Sequence, residues 1–99
     1  MIQYIDSDLE RVYLCDDQTF AGDSPGTEQE LSDFISGDTR DAVLDFSKVK
    51  RINSMTLSLL IRVKKKYAEN GRHLGINNTN ESVHNIITIA GLKSFLLED

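Results

Sequence analysis

Short apolar runs alternate with longer helix-period segments along this chain of 99 residues, and that alternation restricts the fold more than any other feature. Ala42-Val43-Leu44-Asp45-Phe46 is too brief for a helix and reads as a buried strand. A helix is predicted from about Ser54 to Asn70, with Gly71 as its stop. Its apolar positions (Leu57, Leu59, Leu60, Ile61, Val63, Tyr67, Ala68) form a broad band rather than a narrow stripe, so neighbours cover much of it. Lys64, Lys65 and Lys66 fall toward its C-terminal end, where cations suit the helix dipole.

The same alternation holds on either side. Ile2–Ile5 and Arg11–Cys15 read as short strands joined by the polar Asp6-Ser7-Asp8 turn, as a hairpin. Residues 22–26, with the only proline, read as a loop. Thr27-Glu28-Gln29-Glu30 then has the form of a capping box, followed by Leu31, Phe34 and Ile35 at helical spacing and by Gly37. Residues 72–77 read as a strand. A third helix begins near Thr79 or Asn80, carries Val83, Ile86, Ile87 and Ala90 on one face, and stops at Gly91. Leu92, Phe95, Leu96 and Leu97 form an apolar turn that packs back on the domain.

The predicted order is therefore β-β-α-β-α-β-α in one domain over residues 1–99: an α/β fold with a mixed, mostly parallel four-stranded sheet and three to four helices. Every β-to-α loop of such a sheet lies at its carboxyl edge, where ligands and partners usually meet α/β domains. Three loops gather there: the one holding Asp23, the one holding Asn53 and Ser54, and the one at Asn77 and Asn78. Asn53 or Ser54 can cap the following helix, beside N–H groups that have no acceptor within it. That is a place where an added phosphate is electrostatically welcome.

Charge and composition narrow the partner classes. The net charge of −5 is unevenly spread: residues 1–46 carry twelve acids against Arg11 and Arg40, while residues 47–99 carry nine bases against four acids. An acidic half argues against nucleic-acid binding and favours a protein partner of complementary charge. No segment has the roughly 18 consecutive apolar residues of a membrane span, and Met1–Asp8 has no basic, apolar leader. Membrane insertion and a secretory signal are not expected, and the lone Cys15 suits a reducing, cytoplasmic setting.

Three stretches in order resemble the STAS domain, the fold of bacterial anti-sigma factor antagonists. Val43-Leu44-Asp45-Phe46-Ser47 resembles the family's V-L-D-L-S strand. Ile52-Asn53-Ser54-Met55-Thr56-Leu57 stands where the family has I-D-S-S-G-L, with Asn53, Met55 and Thr56 departing from it. Ala90-Gly91-Leu92-Lys93-Ser94-Phe95 is similar to the T-G-L-x-x-L/F ending. The resemblance implies a regulator that switches partners. Its motif serine, here Ser54, is phosphorylated by an ATP-dependent serine kinase that is itself the anti-sigma-like partner. A metal-dependent serine phosphatase restores it, and the dephosphorylated form binds the kinase-like partner. The resemblance also sets Asp23 against an acidic residue of the family's loop before the first helix. Some STAS proteins instead serve as unphosphorylated scaffolds or transport-associated subunits, and the motif is compatible with them.

Ser54 thus reads either as a plain cap or as a phosphoacceptor, with Thr56 as a secondary acceptor and Ser58 an ordinary outward residue. The predicted partner surface comprises Asn53, Ser54, Met55, Thr56 and Leu57, with Asp23 at its margin. Met55, adaptable and apolar, is the candidate for its centre. Lys48, Lys50 and Arg51 either steer an acidic partner or form a solvated loop. His73, His84 and Cys15 show no metal-ligand spacing, no glycine loop is followed by Lys-Ser/Thr, and no motif gives Ser54 a histidine base. Neither a metal, a cofactor nor an enzymatic activity is expected.

Overall fold

The computed structural model describes residues 2–21 and 25–97. Strands β1 (Gln3–Asp6) and β2 (Glu10–Asp16) form the hairpin, followed by helix α1 (Pro25–Gly37), β3 (Asp41–Lys48), α2 (Ser54–Glu69), β4 (Leu74–Asn77), α3 (Glu81–Ile89) and the short α4 (Lys93–Leu96). The sheet order is β1-β2-β3-β4, with β1 antiparallel to β2 and the other pairs parallel. The α/β architecture read from the sequence, a mixed four-stranded sheet with four helices, is the one observed.

The strand order decides which face is covered. Parallel crossovers are right-handed in nearly all proteins, and β2, β3 and β4 follow one another in a single direction. Both crossover helices, α1 and α2, therefore fall on the same side, where the buried Tyr67 hydroxyl donates to the Leu31 carbonyl at 2.8 Å. The strands alternate accordingly. Tyr13 and Cys15, Ala42, Leu44 and Phe46, and Leu74 and Ile76 are buried beneath the helices with Leu31, Leu59, Leu60, Val63, Ile87 and Leu96. Each such aliphatic or aromatic side chain contributes about 1.5–3 kcal/mol of burial. The opposite face leaves Ile5 60 % and Leu14 38 % exposed.

Local signals held where a cap or a glycine fixes the backbone. Asn53 and Asn80 cap α2 and α3, accepting from the N–H of Thr56 and Val83 at 2.9 and 2.8 Å. Gly71 and Gly91 follow those helices at φ 68° and 76°, a left-handed conformation that a side chain disfavours.

Two boundaries differ from the expectation. The helix read as starting with a capping box at Thr27 begins at Pro25, whose fixed φ and missing N–H suit a first turn. Thr27 lies within that turn and its hydroxyl donates outward, to the Thr19 carbonyl, so the capping box is not formed. The strand read from Arg72 begins at Leu74. The Arg72 guanidinium instead donates to the carbonyls of Ile35, Asp38 and Arg40, which ties α1 and the loop after it to the end of α2.

Candidate functional site: the rim around Ser54

The loop between β3 and α2 is fixed from below and from both sides. Val49 and Ile52 are buried in the core. The Lys50 N–H donates to the Asp17 carboxylate at 2.8 Å, across to the loop after β2. On the other side, the Asn80 amide donates to the carbonyls of Val49 and Lys50 at 3.3 and 3.0 Å. One asparagine thus caps α3 and holds the neighbouring loop. Neither Asp17 nor Asn80 was recognised as part of the rim in the sequence, because each acts across about 30 residues (|i−j| 33 and 30–31).

Within this frame the predicted surface separates into three tiers. Asn53, Ser54 and Met55 are exposed and contiguous, Met55 by 49 %. Leu57 is half-buried and packs on the core. Thr56 is buried, 4 % exposed, and its hydroxyl donates to the side-chain Oδ1 of Asn53 at 3.1 Å. Thr56, expected as a secondary acceptor and contact residue, thus has its hydroxyl engaged in the cap below the surface. Asp23 lies outside the described residues.

Ser54 is the first residue of α2, and no carboxylate occupies that helix's first turn, while Lys66 sits in its last. The N-terminal partial charge is therefore uncompensated by any acid of the helix itself. Along the same face, Ser54, Met55, Ser58 and Arg62 line a shallow groove, and Arg62 reaches back to Glu28 of α1 at 2.8 Å. The Arg62 guanidinium beside Glu28 holds that carboxyl below its usual range.

Behind Asn53 lies a cleft of about 370 Å³, floored by Phe20, Val49 and Ile52, with Asp17, Lys50 and Arg51 at its mouth. Phe20 stands 5.4 Å from Phe46, centroid to centroid, which anchors the floor to β3. Sequence reasoning missed this cleft. Phe20 falls in a turn with no periodicity, and only its distance-blind apolar character could have marked it.

The other titratable groups do not converge on Ser54. Asp45 accepts from the Ser47 N–H at 2.8 Å, and hydrogen bonds from Ser47 and then Asn78 outweigh burial to hold its carboxyl below the usual range. Burial pushes the Cys15 thiol up to about 12, so it stays protonated and unreactive. Among the described residues no cluster of three His, Cys, Asp or Glu side chains could hold a metal ion. No helix of the described residues is long and apolar enough to cross a membrane.

Comparison with known proteins bears on the fold that carries this rim. A family profile described as "STAS domain" matches residues 3–98. The Thermotoga maritima protein TM1081 is similar at 18 % identity, with a TM-score of 0.85 over 97 % of this chain and 78 % of that one. The anti-sigma factor antagonist SpoIIAA in its unphosphorylated form is similar at 11 % identity, TM-score 0.80, over 98 % and 86 %. A serine-to-glutamate variant of RsbS from Moorella thermoacetica is similar at 17 % identity, TM-score 0.78, over 95 % and 84 %. No curated protein matches the chain. At these identities the structural likeness concerns the fold.

Proposed function

This chain belongs to the STAS domain family, and we propose that within it the protein is a phosphorylation-switched binding regulator of the anti-sigma factor antagonist type. Its unphosphorylated form binds a serine-kinase or anti-sigma-like protein through Asn53, Ser54, Met55 and the half-buried Leu57, with the Asp23 loop alongside. Ser54 is the phosphoacceptor, a metal-dependent serine phosphatase restores it, and the protein carries out no chemistry of its own.

The observation that carries this reading is the exposure of Ser54 at the start of a helix whose first turn holds no acid. A phosphate adds about −1.5 to −2 charges and strong acceptor oxygens. At this helix end the folded domain accommodates it, with a gain of roughly 0.3–1 kcal/mol. If the same surface must be dried against a partner, an unpaired dianion costs several kcal/mol. Since about 1.4 kcal/mol is a tenfold change in affinity, the difference switches binding and leaves the fold alone.

Incubation with the kinase-like partner and Mg-ATP tests the assignment. Intact mass is expected to rise by one phosphate, mapped to Ser54 and missing in Ser54→Ala. Phosphate on another residue, or none with a partner that binds, contradicts it.

The exposed Met55 favours a second reading, a permanent subunit of a signalling scaffold or transporter-associated assembly in which an apolar contact always covers it. That reading predicts unmodified Ser54 in protein from its own cell, and an assembly that survives Ser54→Asp.

A further inference from the structure

Away from the Ser54 rim, the uncovered face of the sheet carries its own pattern. The pairing sets Ile5, Val12, Val43 and Gly75 in one row across all four strands. Leu14 stands in the next row, opposite Gln3 and Asp45. Ile5 and Leu14 are 60 % and 38 % exposed, and Val12 and Val43 half-buried. Gly75 adds no side chain of its own, and the His73 imidazole lies beside it.

Over the central rows of this face the charges have one sign. From Glu10 to Leu14 on β2 and from Asp41 to Asp45 on β3, the outward positions hold Glu10, Asp41 and Asp45 and no lysine or arginine. The Asp16–Lys48 pair closes the far end. Asp45 stays ionised, held below the usual carboxylate range by the hydrogen bonds from Ser47.

We propose that this face is a second docking surface, for an amphipathic basic helix of a partner protein whose aliphatic stripe covers Ile5, Val12, Leu14 and Val43 and whose lysines or arginines meet Glu10, Asp41 and Asp45. Size supports a single element as the occupant. Four strands of about five residues offer roughly 300 Å², well short of the about 800 Å² that each side of a stable protein complex contributes. Charge opposes a second copy, since a two-fold contact sets three carboxylates against three. The surface lies on the side of the sheet away from α2, so it is independent of Ser54 and leaves that rim free for another protein.

The probe is a synthetic Leu/Lys amphipathic helix, with its Leu/Glu counterpart as control, titrated into ¹⁵N-labelled protein. Saturable amide shifts are expected on Ile5, Val12, Leu14, Val43 and Gly75 with the Leu/Lys peptide, and none there with Leu/Glu. Glu10→Lys and, separately, Ile5→Lys are expected to weaken binding about tenfold while the melting temperature changes little, Glu10→Lys standing alone if Ile5→Lys fails to fold. Shifts scattered over other acidic surface, equal affinity of Glu10→Lys, or no saturable binding overturns the proposal. So does concentration-dependent dimerisation that Ile5→Lys abolishes, which would make a second copy the occupant.

Discussion

Asn53 connects the fold to the proposed switch. Its side chain accepts from both the N–H and the hydroxyl of Thr56, so it closes the first turn of α2 immediately before Ser54. Replacing it by alanine is expected to cost about 1 kcal/mol, the usual worth of such a cap, in urea denaturation. Thr56→Val keeps the volume and removes the hydroxyl; because the residue is buried, a loss of about 0.5–1.5 kcal/mol is expected. Ser54→Ala and Ser54→Asp should each stay within about 1 kcal/mol of the parent, since an exposed first-turn residue makes little of the fold. The serine motif, its place at a helix start and its neighbour Met55 were legible in the sequence. The burial of Thr56 was not, because a first-turn residue points inward or outward according to how the helix rolls on the sheet, which only packing decides.

At the scale of elements, the hairpin and the loop between α1 and β3 are joined by charge. Arg11 pairs with Asp6 at 2.7 Å, and Arg40 pairs with Asp38 at 2.7 Å and with Asp6 at 3.4 Å. The Arg11 guanidinium lowers the Asp6 carboxyl, and hydrogen bonds from Arg40 side chain and backbone lower Asp38 further. A carboxyl depressed by folding contributes stability above its unfolded value of about 3.8 and loses it as pH falls through the folded value. The melting temperature is therefore expected to fall below about pH 4, with a shallower fall in Asp38→Asn. Between helices, Tyr67→Phe removes the hydroxyl that donates to the Leu31 carbonyl, a group the helical ladder of α1 also serves, and should cost about 0.5–1.5 kcal/mol by chemical denaturation. Element types were readable from periodicity. The start of α1 was not, because Thr27-Glu28-Gln29-Glu30 fits a capping box and Pro25 fits a first turn equally well, and sequence spacing does not rank them. Arg72 misled for a related reason: it precedes a strand in sequence but works as a clamp on three carbonyls from a distant segment.

Over the whole molecule, the chain presents three different surfaces. Helices cover one face of the sheet, the carboxyl edge carries Ser54, and the other face carries the aliphatic row with its carboxylates. The acidic first half noted in the sequence already pointed to a partner of opposite charge. Where that charge gathers became visible only with the strand order, since the side on which crossover helices fall follows from the direction in which the strands advance. The central claim is that negative charge at Ser54 breaks a protein contact without disturbing the fold. Calorimetric titration of the kinase-like partner with unmodified and Ser54-phosphorylated protein, alongside the melting temperature of each, tests it most directly. The account predicts affinity reduced by about a hundredfold or more at nearly equal melting temperatures. Equal affinities, or a weakened contact accompanied by a collapsed melting transition, would contradict it.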